Sequence, residues 1–208
     1  AEFVTLEDLA NRIRSYDASS ITSSVSGNVV TATVVSPDAG KFALDLDNLG
    51  TQVISSVAGW YAYDNDSVFT DRDGGTFAIT LGAAAADVTH ITSLSARSEL
   101  VSLSGDGTNL SFQVIGEGRV TIDLKNLGGQ AVVTGAAGFS QSGDILTVDL
   151  GAIGTHDVAV TLTAGGGNLP PIINSNGGSD SAAISMAENT TAVTTIAAET
   201  AVSLGVVM

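Results

Sequence analysis

The sequence predicts an all-β fold: two tandem, related β-sandwich-like modules preceded by a short N-terminal helix. Three observations carry this. First, Gly40-Lys41-Phe42-Ala43-Leu44-Asp45-Leu46-Asp47-Asn48-Leu49-Gly50 returns as Gly118-Arg119-Val120-Thr121-Ile122-Asp123-Leu124-Lys125-Asn126-Leu127-Gly128. So ordered a match marks an internal repeat. Second, from Ile21 onward apolar residues alternate with polar ones at a period of two, which suits half-buried strands. Third, Gly, Ser, Thr, Val and Ala dominate the composition, favouring short strands and tight turns over long helices.

Residues 5–16 are the helical exception. Thr5 stands as an N-cap, with acids in the first turn. Leu6, Leu9, Ile13 and Tyr16 form one apolar stripe, and Arg12 and Arg14 near the end complement the helix dipole. Strands then follow at Ser23–Val25, Val29–Val35, Lys41–Leu46, Thr51–Val57, Tyr61–Asp64, Thr76–Leu81 and Val88–Leu94. The second copy supplies Leu100–Ser104, Leu110–Ile115, Arg119–Leu124, Ala131–Thr134, Ile145–Leu150 and Asp157–Leu162. Ser26-Gly27-Asn28, Asp38-Ala39-Gly40, Gly105-Asp106-Gly107, Gly128-Gly129 and Ser142-Gly143-Asp144 mark turns between them. The expected organisation is a helix in 1–19, one β module in 20–95, a second in 96–163, and a Gly/Pro-rich linker with partial strands in 164–208.

The two copies also pair Ala58-Gly59-Trp60 with Ala137-Gly138-Phe139, and Phe77–Gly82 with Leu146–Gly151. On that alignment the offset drops from about 79 to about 69 after Trp60. An insertion of about ten residues is therefore expected in the first copy, across Tyr61–Gly75. A loop lengthened in one copy is where specific function is expected.

Twenty-two acidic residues against seven basic ones give a net charge of −15, which argues against nucleic-acid or anionic-membrane binding. No cysteine is present, which excludes a disulfide framework, thiolate metal sites and a cysteine nucleophile. No apolar run approaches the length of about 18 residues that a membrane span needs. The opening residues, with Glu2, Glu7 and Asp8, lack the pattern of a signal peptide, and the chain reads as a segment of a larger protein.

Trp60, Tyr61, Tyr63 and Phe69 concentrate aromatic rings in a chain that has few. They are the candidate ligand-binding set, since sugar sites stack aromatic faces on the apolar face of a pyranose. Asp64, Asp66, Asp71 and Asp73 are candidate oxygen ligands for a metal, calcium above all, although their spacing is not that of an EF-hand. Core packing is the ordinary alternative for Trp60, and solvated turns for the aspartates. His90 and His156, the only histidines, default to structural roles, as do the repeated Asp45/Asp123 and Asn48/Asn126, which suit turn capping. No catalytic residues are assigned.

At the N-terminal end, Phe3-Val4-Thr5-Leu6-Glu7-Asp8-Leu9-Ala10-Asn11-Arg12-Ile13 resembles the final strand-to-helix segment of polysaccharide deacetylases of the NodB homology type. The metal-binding residues of that family lie upstream of such a segment and have no counterpart here. At the other end, Pro170-Pro171-Ile172-Ile173 through Ala187-Glu188-Asn189-Thr190 is similar to the opening of bacterial cadherin-like repeats. Glu188 matches the glutamate that helps bind calcium between such repeats, whereas Glu199-Thr200-Ala201 stands where an Asp-rich continuation is expected. The middle modules look like the β domains that accompany such enzymes. Together these resemblances imply a non-catalytic accessory segment of a secreted or surface carbohydrate-active protein. Its expected partners are carbohydrate and neighbouring domains, and its task is binding glycan or spacing it. A metal-dependent hydrolase using the Asp-rich segment or His90, and a structural or adhesion stalk, are the rival expectations.

Overall fold

The computed structural model describes residues 5–163; the predicted linker, the cadherin-like strands and Glu188 lie outside the described residues. The described residues fall within one unit, Ala1–Gly165.

The helix forms as α1, Leu6–Asp17. Thr5 caps it, its side chain accepting from the Asp8 N–H at 3.1 Å. The apolar stripe finds no cover: Leu6, Leu9, Ile13 and Tyr16 are all exposed. Arg12 instead anchors the helix, donating to the carbonyls of Lys41 and Ala96, each at 2.6 Å.

Twelve strands follow among the described residues. β1 (Ser20–Ser26), β2 (Val29–Val35), β4 (Val53–Val57) and β6 (Gly75–Gly82) form a sheet in the order β1-β2-β6-β4. The β1–β2 hairpin turns on Gly27, whose φ of 61° is the left-handed geometry that the first central position of a two-residue hairpin asks for. The short strands β3 (Ala43–Asp45) and β5 (Ser67–Phe69) pair with each other. β7 (His90–Leu94), β8 (Ser98–Gly105), β9 (Leu110–Asp123), β10 (Gln130–Thr134), β11 (Gly138–Ser142) and β12 (Ile145–Thr163) make a six-stranded sheet. The described residues are all-β apart from α1 and one 3-10 turn at Ala39–Lys41.

Two pairs of predicted strands merge. Leu110–Ile115 and Arg119–Leu124 run together as β9, while Ile145–Leu150 and Asp157–Leu162 run together as β12, with register shifts around Gly151. Alternation persists through both: Leu110, Phe112, Val114, Val120 and Ile122 face inward on β9, against Leu146, Val148, Leu150, Val158, Val160 and Leu162 on β12. A second apolar cluster gathers Ala32, Val34, Ile54, Val68, Phe77 and Ile79. Trp60 packs against both clusters.

The ladders repeat along the chain. The hairpin pairing Ser26↔Val29 recurs as Gly105↔Leu110, Val29↔Thr80 as Leu110↔Val160, Leu44↔Val68 as Ile122↔Leu146, and Val53↔Gly82 as Gln130↔Thr163. Each partner moves by about 80 positions, with no drop after Trp60. The expected ten-residue insertion is thus not there. The isolated bridge Tyr63↔Val68 corresponds to Gln141↔Leu146, so residues 61–75 have counterparts in 139–153. The sequence match of Phe77–Gly82 to Leu146–Gly151 was misleading for a physical reason: any two alternating strands ending in Leu-Gly align well, because a period of two carries little positional information. By the ladders, Phe139 corresponds to Tyr61 rather than to Trp60.

The strand expected at Val88–Leu94 forms as β7, but it pairs with β9 and so joins the later sheet. It also touches Tyr61–Tyr63 in parallel, through the bridge Ala62↔Ile91. A backbone link therefore crosses residue 95.

Candidate functional site

The predicted aromatic residues gather around the meeting of the two apolar clusters, and they pack inward. The Trp60 indole Nε1–H donates to the Phe69 carbonyl at 2.9 Å and to that of Ala62 at 3.2 Å. Its ring meets Phe77 edge-on, with centroids 5.4 Å apart. Phe69 is half-buried and packs on the apolar cluster between β9 and β12. Tyr61 lies against the β8–β9 turn: a Cβ placed on Gly105 would come within 2.8 Å of its ring. Tyr63 is 1% exposed and stacks on the His90 imidazole at 4.3 Å. The four rings are brought together, but as a joint rather than as one open platform.

Tyr63 carries a polar cost. Its hydroxyl is buried without a hydrogen-bond partner, and burial, with smaller contributions from Tyr61 and Asp123, pushes its pKa up to about 12. An unfolded tyrosine ionises near 10. Above that pH the unfolded chain gives up the proton first, so stability is fully present below about pH 10 and falls as pH climbs toward 12. Tyr63→Phe is expected to remove the share of this alkaline loss due to Tyr63, and to cost no more than about 1 kcal/mol at pH 7, since the hydroxyl makes no bond. Urea titrations from pH 8 to 11.5 check it; an unchanged alkaline limb in the variant would refute it.

The aspartates do not converge. Asp64 and Asp66 shape the turn into β5: Asp64 Oδ1 accepts from the N–H of Asp66 at 3.1 Å and of Ser67 at 2.7 Å, and Asp66 Oδ1 accepts from the Ser67 hydroxyl. Asp71 and Asp73 belong to the turn after β5. Burial, then the charge of Asp73, raises the pKa of Asp71, and its Oδ1 is buried without a partner. Among the described residues no three His, Asp or Glu side chains are grouped to hold a metal. In the turn into β5 the Asp64 carboxylate serves as an acceptor for backbone N–H groups.

His90 is 2% exposed, with Nδ1 2.8 Å from the Val88 carbonyl. His156 Nε2 lies 3.2 Å from the carbonyls of Gly116 and Ala152. Asp87 and Asp157 are likewise engaged, the first accepting from the Asn126 N–H and the second from the Gln113 amide. Asp123 faces His90 across the β7–β9 ladder; burial raises its pKa while His90 opposes the rise. Asn48 takes a left-handed φ of 62°, a turn role that its residue type tolerates.

Sequence reasoning missed the polar half of the joint. Glu99, on β8, is nearly buried and accepts from Arg72 Nε at 2.7 Å; Lys41 Nζ lies 3.5 Å from its other oxygen and also pairs with Asp38. Burial works against the charge on Lys41, but the bonds to Asp38 and Glu99 outweigh it and raise its pKa. With Arg12, three of the chain's seven basic residues thus serve one joint. Cation scarcity was the available signal: in so acidic a chain, each base invites the question of its partner. Arg12, Lys41, Thr70 and Ser98 also line a cleft of about 160 Å³ there. A larger apolar groove of about 390 Å³ lies beneath β1, between Val25, Leu46 and Leu81.

No protein-family model, curated protein or solved structure matches the chain. No helix among the described residues is long and apolar enough to cross a membrane.

Proposed function

We propose that residues 20–163 are two tandem, related β-sandwich-like modules clamped into one non-catalytic spacer, an accessory segment of a secreted or surface carbohydrate-active protein. The observation that carries this is the inward-turned joint. Trp60, Tyr61, Tyr63 and Phe69 contribute their faces to packing between the copies, and Glu99 draws Arg72 and Lys41 of the first copy onto β8 of the second. Side chains spent in this way hold two units in a fixed relation, which is what a spacer requires. The recurring ladders support the two-module reading, and the resemblance of the N-terminal end to deacetylases supports the carbohydrate setting. Neighbouring domains are then the partners, and glycan is what the spacer positions rather than what it grips.

The test sets the full chain against immobilised acetylated and acidic glycans and follows its unfolding in urea, with and without millimolar calcium. A spacer gives one cooperative transition for residues 5–163 and retains no glycan. A glycan held by the natural chain and released by Tyr61→Ala would replace spacing with binding. Stabilisation by calcium that disappears in Asp71→Asn would replace it with a metal-dependent module.

A further inference from the structure

The way the first copy receives the second is reproduced, unoccupied among the described residues, at the end of the second. In the first copy the segment Tyr61–Tyr63 has β5 on one side and β7 on the other. The Tyr63 N–H donates to the Ile91 carbonyl at 2.9 Å, and the Ile91 N–H donates to the Tyr61 carbonyl at 2.8 Å. The matching segment of the second copy is β11, since Gln141↔Leu146 corresponds to Tyr63↔Val68. β11 pairs with β12 alone, so its other edge carries no strand among the described residues. Phe139, the counterpart of Tyr61, is 50% exposed.

We infer that the outer edge of β11, together with Phe139, is the docking site for a further repeat of this kind, which enters with a strand like β7 laid parallel to β11. Three features specify the occupant. The backbone groups to be met are those that β7 meets in the first copy: the Gln141 N–H and the Phe139 carbonyl stand at the positions of the Tyr63 N–H and the Tyr61 carbonyl. The aromatic ring is retained, and in the first copy that ring rests on a glycine turn, at Gly105, of the copy that follows. Finally, β11 reads Gly138-Phe139-Ser140-Gln141-Ser142, with no charge and no proline. Edges meant to stay bare are ordinarily blunted by such residues. A strand added to an edge gains main-chain hydrogen bonds with little demand on side-chain identity, which suits a repeating array. A second copy of this chain is a poorer occupant: the residues preceding its β1 form α1, a helix, and offer no strand in the place of β7.

The inference rests on the two-module reading and not on the carbohydrate setting; a glycan bound elsewhere would leave it intact. The experiment inserts a duplicate of residues 83–163 after Thr163 in the full chain, a graft made seamless because Gly82 and Thr163 hold the same ladder position. The Gln141 amide is expected to exchange at least about tenfold more slowly than in the natural chain. Phe139→Lys should cancel that protection while lowering the melting temperature of the natural chain by no more than about 4 °C. Exchange of Gln141 at its former rate, with the inserted β9 amides protected, overturns the inference. So does protection already present in the dilute natural chain, which would mean the edge is filled within the chain, or protection that rises with protein concentration, which would mean self-pairing. If the inserted copy does not fold, a peptide of residues 87–95 at millimolar concentration takes its place. It should protect Gln141, whereas the same peptide with Ile91→Pro, lacking the bridging N–H, should not; no difference between the two overturns the inference.

Discussion

Trp60→Ala is expected to destabilise the protein by about 3 kcal/mol, the lower part of the range for removing a large core aromatic, because the ring is partly rather than fully buried. Three contributions add up. The ring leaves both apolar clusters at once, the edge-on contact with Phe77 goes, and the carbonyls of Phe69 and Ala62 lose their shared donor. Because the indole serves both halves, the loss should lower the stability of both rather than fray one. Urea unfolding followed by far-ultraviolet circular dichroism measures this, since the chain holds no other tryptophan. Phe139→Ala makes a useful contrast: that ring is half-exposed, and its removal should cost about 1 kcal/mol or less. Equal costs for the two substitutions would deny Trp60 its place as a joint.

A second large effect is expected from the smallest available change. Gly40 sits buried in the 3-10 turn, against β8. A methyl group there would overlap the Leu100 carbonyl oxygen and lie 3.1 Å from the Arg72 backbone nitrogen. Both obstacles are backbone, so neither can swing away as a side-chain end would. Gly40→Ala should therefore push the turn off β8, stretching the contact between Lys41 and Glu99, at a cost of about 3 kcal/mol. For a unit of this size that is a fall in melting temperature of roughly 10 °C. A melting temperature within about 2 °C of the natural protein, equivalent to about half a kcal/mol, would refute the close approach of Gly40 to β8.

Gly40 and Gly118 were visible in the sequence as the first residues of the repeated block, yet their settings differ. Gly118 lies within the continuous strand β9, whereas Gly40 lies in the 3-10 turn and packs against β8. That contrast illustrates what could be read and what could not. The capped helix at Thr5, the alternation of β2 and β6 and most turns follow from local chemistry, which a sequence displays directly. The all-β class follows with them. The partner of each strand does not, because a period of two looks the same in every register. Hence the imagined insertion after Trp60, the missed strands β5 and β11, and the assignment of β7 to its sequence neighbours rather than to β9. The aromatic cluster was found by composition alone, but its direction was not: only the position of His90 against Tyr63, and of Gly105 against Tyr61, turns those rings inward. Glu99 escaped attention because a lone acid among twenty-two carries no signal until Arg72 and Lys41 are placed beside it.

The two ends of residues 5–163 differ in how they would bear a load. β12 is held by β9, β10 and β11 together, and its last residue, Thr163, is still paired with Gln130. Tension drawn along this strand must shear many hydrogen bonds at the same moment. β1 is paired with β2 alone, every residue of it is exposed, and before it stands a helix moored largely by one arginine. Tension there opens bonds one after another. Pulled at both ends of residues 5–163, this unit opens first at β1 while β12 holds, so any extension it allows a tethered neighbour is stored on the β1 side.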